Sequence, residues 1–454
     1  MTHPCDLSIA EVGLALRRGA LSAVELAQAH LDRIEHRNER LHAFIDLDPD
    51  DVLQQARAAD VRLAAGDCDD LPLLGIPVAL KDILDVAGRT TTCGSHAQAG
   101  HNATVDATVV QRIYESGVVF LGKVATYEFA LTGPAFDQPN PPPRNPWNTG
   151  HITGGSSSGS AAAVAGGLVR CALGTDTGGS VRSPAAYCGI VGLKPTYERL
   201  SRQGVFPLSD SLDHVGPLAA CVADAAYCFD AFSEPADAPP AAQWLGQGLA
   251  GLRLGYGRDW FAADAAVDPQ AIVAIDAAVS QLSLLEARVE TVELPDYDLF
   301  EAVGTIILQA EALAVHQTGL STRPEHYGRA ALRNLITGAA LTPEHLSAAR
   351  AMQQRLSADM DAILNRVDAL ITLTTLTPAP AFAAFTEGKP VWTPMRTFPF
   401  NLTGHPALTI PIGFSSGLPL GMQIIGKRND EARICQIGHA FEQSTDHSVQ
   451  KPVF

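Results

Sequence analysis

Two Gly-Gly-Ser units, Gly154-Gly155-Ser156 and Gly178-Gly179-Ser180, are joined by an Ala-rich run, and Lys81 closes an apolar stretch upstream of both. A serine placed directly after two glycines sits where the chain can turn at positive φ and leave backbone N–H groups free around it. A nucleophile and its oxyanion hole require that arrangement. A lysine within apolar sequence tends to lose its proton, because burial disfavours the ammonium, and a neutral amine is a general base. These residues point to acyl transfer on an activated serine.

Other readings of the same stretch fail on particular residues. A flexible Gly/Ser linker would not run straight into the helix-favouring Ala161 to Gly167 and the strand-like LVRCALG. A phosphate-binding loop has both glycines in Gly154 and Gly159, but Ser160 stands where its lysine belongs. A nucleophile elbow is matched literally by Gly155 to Gly159, with Ser157 as nucleophile, yet it must leave a buried strand and the preceding NPWNTGHIT is turn sequence. Ser157, Ser158 and Ser160 are read as turn and helix-start serines that satisfy free N–H groups, with Ser157 best placed to assist. Asp176 and Arg182 are expected to pair structurally. The 14 histidines include no HExxH, so neither a metal nor a cofactor is expected, and His214 is read as structural.

The elements that must position these residues follow from pattern. Ser8 with Glu11 and Ser22 with Glu25 have capping-box spacing, and Asp48 with Pro49 opens a third helix running to Gly66. Ile76 to Leu80 reads as a strand ending at Lys81, Asp106 to Gly117 as a helix and Val118 to Gly122 as a strand. Gly133 to Trp147 is Pro-rich loop. Further on, Leu252 to Gly255 and Val289 to Leu294 read as strands, and Pro269 to Ala287, Phe300 to Thr318 and Pro343 to Val367 as helices. Pro378 to Phe400 carries Phe382, Phe385, Trp392, Phe398 and Phe400, either as core plugs or as an apolar substrate mouth.

Composition bounds the setting. With 454 residues, 46% of them hydrophobic, the chain can bury a large core. A net charge of −17 disfavours nucleic acid and anionic membranes as partners. The apolar-looking stretch Ala369 to Thr386 is broken by Pro378 and Pro380 and reads as strand then loop, not as a membrane span. Eight cysteines without a CxxC pair, and no signal-like N-terminus, point to reduced thiols and a cytoplasmic enzyme.

The stretches GIPVALKDILDVAG, GGSSSGSAAAVAGG and GTDTGGSVRSPAAYCGIVGLKPT resemble the amidase signature family of amide hydrolases. ATYEFA, NPW, DHVGPLA, GHPALTIPIGF and GLPLGMQIIG continue the resemblance over nearly the whole chain. It implies an α/β fold, a single large domain over 1–454 with a mixed central β-sheet covered by helices. An N-terminal helical layer (1–66), a catalytic core (71–220), a variable substrate-facing region (233–400) and a C-terminal return to the core (401–454) are expected within it. It also implies a Ser, cis-Ser, Lys triad, with Ser180 acylated and Ser156 relaying its proton to Lys81. Backbone N–H groups of Thr177, Gly178, Gly179 and Ser180 would form the oxyanion hole, and Gly155 and Ser183 would line the substrate site.

Departures from the family pattern bear on substrate. His151 and Thr153 replace Arg and Pro before the first glycines, and Ser158 replaces a glycine. Ser183 stands where relatives acting on carboxylated substrates can carry arginine, which argues for a neutral amide, with aryl or alkyl carbamates (urethanes) presenting the same carbonyl. The expected partners are a small-molecule substrate, no nucleic acid, no membrane and a possible homodimer. The alternative reading is the glutamine-hydrolysing A subunit of a tRNA-dependent amidotransferase.

Overall fold

The N-terminal signals fold as written. Ser8 and Ser22 each accept from the backbone N–H three residues on, while Glu11 and Glu25 reach back, and so cap helices Ile9–Arg17 and Ala23–Leu41. Asp48 caps Pro49–Ala64, with the proline in its first turn, where a missing N–H costs nothing. The sequence pattern does not show Phe44–Leu47, a short strand between the second and third helices that pairs antiparallel with Val119–Val124. Four residues are too few for a period to show.

The computed structural model of the chain describes residues 2–67, 71–385 and 391–454. Cys68 and Thr386, together with the rest of 386–390 in the aromatic segment, lie outside the described residues. The strands, in chain order, are β1 (Phe44–Leu47), β2 (Pro77–Lys81), β3 (Val119–Val124), β4 (Arg144–Asn145), β5 (Asn148–Ile152), β6 (Cys171–Asp176), β7 (Val191–Lys194), β8 (His214–Ala219), β9 (Arg253–Tyr256), β10 (Arg288–Thr291), β11 (Ala369–Leu373), β12 (Ala407–Ser415) and β13 (Leu418–Ile425). Strands β4, inside the stretch read as loop, and β5, just after it, form a separate hairpin, and the other eleven make one sheet in the order β1-β3-β2-β6-β8-β7-β12-β13-β11-β9-β10. The sheet is mixed: the pairs β3/β2, β2/β6, β11/β9 and β9/β10 are parallel, and the remaining pairs are antiparallel.

Helices Pro49–Ala64, Ser158–Ala165, Arg182–Cys188, Val222–Phe232, Pro269–Leu284 and Glu431–Gln443 pack on the strands. Central strands β2, β6, β8 and β13 are buried along their whole length, as continuous apolar runs in a covered sheet should be. One hydrophobic cluster runs from Ile9 to Phe441, so the chain is a single α/β domain. Helix Tyr297–Thr322 is long and apolar enough to cross a bilayer by length and composition alone; Phe300, Val303, Ile307 and Leu308 on it are buried inside the protein. Seven cysteines are free among the described residues.

Candidate active site

Parallel strands β2 and β6 run side by side, Leu80 opposite Leu173, and their C-terminal ends bring Lys81 beside Thr175. Lys81 is wholly buried, and its Nζ donates to Ser156 Oγ and to Thr175 Oγ1, each at 2.7 Å. No carboxylate touches it among the described residues. Burial without an anion in contact lowers its pKa from 10.5 to about 7, desolvation outweighing the more distant Asp213 and Asp176. Thr175 lies within the GTDTGGS stretch, but nothing in the sequence gives it a role there. Its one signal is a polar β-branched residue at the end of the strand parallel to the one carrying the lysine.

Ser156 lies just before helix Ser158–Ala165, and the peptide bond from Gly155 to Ser156 is cis. Gly155 is required there because a Cβ would lie 2.2 Å from the ring of Tyr127. Ser180 follows β6 and precedes helix Arg182–Cys188. Ser156, Ser180, Gly155 and Ser183 line one cleft together with Trp392 and Met395. The backbone carbonyl of Ser180 accepts from Ser157 N at 3.3 Å, and among the described residues its hydroxyl has no hydrogen bond.

The turn before Ser180 is held by a buried ion pair. Asp176 accepts from Arg182 Nε at 3.0 Å and Nη2 at 2.9 Å, and from the N–H groups of Gly179, Val181 and Arg182. The Arg182 guanidinium holds the Asp176 carboxyl well below the usual carboxylate range against the cost of its burial. Gly179 departs from the expectation for the oxyanion hole, because its N–H donates to Asp176 at 2.8 Å and is not free for a substrate oxygen. The N–H groups of Thr177, Gly178 and Ser180 have no acceptor among the described residues. Gly179 itself is needed for conformation: its φ is +134°, and a Cβ would lie 2.2 Å from Thr397 Oγ1.

The neighbouring serines have other partners than those expected. Ser157 Oγ donates to Thr175 O at 3.1 Å and accepts from Thr175 N at 3.2 Å, and Ser160 Oγ donates to Leu173 O at 3.0 Å. They tie the helix to β6 instead of capping it, since the helix start is buried against that strand. His214, buried, has Nδ1 2.7 Å from Leu212 O. The aromatic segment divides: Phe385, Phe398 and Phe400 are buried in the core, whereas Trp392 is 47% exposed at the cleft. No group of three or more His, Cys, Asp or Glu side chains among the described residues is arranged to hold a metal ion.

The amidase family model matches residues 25–435. The A subunit of glutamyl-tRNA(Gln) amidotransferase from Symbiobacterium thermophilum is 37% identical over 98% of this chain and 98% of its own. Among solved structures, one from a vestigial protein complex bearing on the origins of an s-triazine catabolic enzyme superposes with a TM-score of 0.88, at 32% identity over 96% of this chain and 98% of its own. Native peptide amidase from Stenotrophomonas maltophilia gives 0.86, at 29% identity over 99% of both chains. These relatives correct one expectation drawn from charge. The expected partners, a small-molecule substrate with no nucleic acid and a possible homodimer, are contradicted by relatives that are subunits of an enzyme of glutamyl-tRNA. Net charge is a sum over the whole surface, and it does not exclude contacts made locally or through a companion chain. With the family model spanning most of its length and its sheet and helices matching those of solved members, the chain belongs to the amidase signature family of amide hydrolases.

Proposed function

We propose that the chain hydrolyses a C–N amide bond through an acyl-Ser180 intermediate, with Ser156 and Lys81 as the proton relay, and that it does so as the glutamine-hydrolysing A subunit of a tRNA-dependent amidotransferase. The observation that carries the chemistry is the 2.7 Å contact between wholly buried Lys81 and Ser156, with no carboxylate touching the lysine among the described residues. Once the amine is neutral this contact reverses: the Ser156 hydroxyl donates to the Nζ lone pair while an N–H still donates to Thr175 Oγ1. Ser180 Oγ attacks the carbonyl carbon, its proton passes to Ser156 Oγ, and the Ser156 proton passes to Lys81. The free N–H groups of Thr177, Gly178 and Ser180 meet the oxygen that becomes negative. The proton then returns through Ser156 to the leaving nitrogen, the C–N bond breaks and ammonia departs. Water repeats the relay on the ester and frees the acid.

The amidotransferase reading is supported by the relatives, and it sets the reaction in the cytoplasm, where tRNA is charged. Its test is ammonia release from L-glutamine by the purified chain, alone and after co-expression with companion subunits of the same host. Glutaminase activity that needs the companions, together with their co-purification, is the expected outcome. A chain that purifies alone and never turns over glutamine in their presence would defeat it.

A second reading, a neutral small-molecule amide, rests on a specific observation. No charged side chain lines the cleft among the described residues; Leu131, Leu308, Val391, Trp392 and Met395 do. Glutamine carries an ammonium and a carboxylate, which these described side chains leave without a counter-charge. Faster turnover of p-nitroanilides, aliphatic amides or aryl carbamates than of glutamine, by the same complex, would favour this reading.

A further inference from the structure

A larger cavity, of about 650 Å3, shares Ala130, Thr177 and Leu208 with the cleft, and its wall includes Thr175, Asp213 and Arg202. Thr175 and Thr177 are two positions apart at the end of β6, and both face this cavity. Thr175 Oγ1 accepts from Lys81 at 2.7 Å, and Thr177 Oγ1 donates to Asp213 Oδ1 at 2.6 Å. The other carboxylate oxygen accepts from the N–H groups of Leu208 at 2.9 Å and Ser209 at 3.1 Å. Asp213 is thus fixed by three donors and forms no ion pair among the described residues, while Lys81 is a buried amine without one.

The other acidic groups around Lys81 are already engaged. Asp176 is paired with Arg182, and Asp82 with Lys123 at 3.3 Å. Burial pushes the Cys93 thiol well above its usual range, so it is neutral. On the Asp213 side, Arg202 binds Glu198 and Asp210, Glu234 binds Arg112, and burial keeps His214 uncharged. Burial raises the Asp213 carboxyl to about 6, which leaves it ionised above that pH. Of the anions acting on Lys81, Asp213 is the one without an ion-pair partner among the described residues.

We propose that Asp213 is a positioning residue of this site: its carboxylate is the counter-charge for Lys81, acting across Thr177 and Thr175, and its contact with Thr177 fixes the turn that presents the N–H groups beside Ser180. A negative charge near a lysine favours the ammonium, so Asp213 offsets part of the desolvation that drives Lys81 to neutrality. Without it Lys81 would be neutral at lower pH and weaker as a base. The inference rests on Lys81 being the base.

The test uses the full chain and phenylmethanesulfonyl fluoride, whose addition to Ser180 is followed by intact-protein mass from about pH 5 to 10. The wild-type rate should rise with pH through one ionisation. In Asp213→Asn, and in the smaller Asp213→Ser should the first fail to fold, its midpoint should move to lower pH by roughly half to one unit, since the carboxylate is partly solvated. The plateau rate should fall by less than about tenfold. Thr177→Val leaves the carboxyl in place and removes one of its three donors, so its midpoint should move less than that of Asp213→Asn while its plateau falls. Folded Asp213 variants with an unmoved or raised midpoint would overturn the inference, as would Thr177→Val shifting the midpoint as far as Asp213→Asn does. If Lys81→Ala reacts as fast as wild type, the base reading itself has failed. If only the Asp213 variants stay unmoved, this inference alone has failed.

Discussion

Lys81 and Lys123 stand near the ends of neighbouring parallel strands, and both are wholly buried, but their contacts differ. Lys123 Nζ reaches Asp82 Oδ1 at 3.3 Å and Thr91 Oγ1 at 2.6 Å. Lys81 Nζ reaches two hydroxyls at 2.7 Å and, among the described residues, no carboxylate. One is an ion pair that ties the loop after β2 to β3, and the other is a buried amine among hydroxyls, which the proposed mechanism takes as its base. Burial is common to both, so burial alone does not make a base; the chemistry of the contacting oxygens decides.

The largest effect should come from removing the group that this base serves. Ser180→Ala should lower kcat by on the order of 10⁴-fold or more in a folded protein, and an acylating inhibitor should label the peptide holding Ser180. Label on Ser157 would break the assignment, because Ser157 is committed to the Thr175 backbone.

The comparison itself is sharpened by treating both lysines alike. Lys81→Ala and Lys81→Arg should each cost roughly 10²- to 10⁴-fold in kcat/KM, the arginine because a guanidinium does not give up its proton. In the wild type kcat/KM should rise with pH on an ionisation near the Lys81 value of about 7, since the neutral form is the active one. Lys123→Met should leave the chemistry of each folded molecule largely intact. Equal loss of kcat/KM in folded Lys81 and Lys123 variants would erase the distinction.

Stability should move in opposite directions. Lys123→Met strands Asp82 in the interior and should cost about 3 to 5 kcal/mol in denaturant unfolding at neutral pH. Lys81→Met should gain stability, by up to about 4 kcal/mol. The sign follows from linkage: the folded pKa is lowered from 10.5 to about 7, so between those values the unfolded chain binds a proton that the folded chain does not. Wild-type stability from this group therefore rises with pH across that window and is least below it, and Lys81→Met should lose that slope. A destabilised Lys81→Met with the slope unchanged would mean that the lysine is a structural cation.

The smallest effect concerns the mouth. Trp392 stands 47% exposed, its ring 3.4 Å from where a Cβ on Gly178 would lie. Trp392→Ala should raise KM for aryl amides several-fold, by about 1 kcal/mol, and change KM for glutamine little. Equal changes for both would remove the ring from substrate selection.

Much of the fold was legible because its signals are local. Capping boxes at Ser8 and Ser22 and the proline after Asp48 need only residues a few positions apart. Strand β1 and the β4/β5 hairpin were not legible, being short and held by partners distant in sequence or by loop geometry. At the site, Lys81, Ser156 and Ser180 were singled out from their motifs, whereas Thr175 and Asp213, although inside the quoted GTDTGGS and DHVGPLA stretches, were given no role. Their importance comes from which strand end lies beside which.

By itself the sequence determined the residue types: a lysine closing an apolar strand, two serines after paired glycines, and glycines where backbone or rings pack too closely for a Cβ. Only the tertiary structure decided which partners each of them meets. Gly179 N–H turned to Asp176, Ser157 to the Thr175 backbone, Lys123 to Asp82, and Lys81 to hydroxyls alone. The physical reason is that proton affinity and hydrogen-bond availability depend on atoms within a few ångströms in space, and in a sheet whose neighbours are distant in sequence those atoms are set by strand order and register.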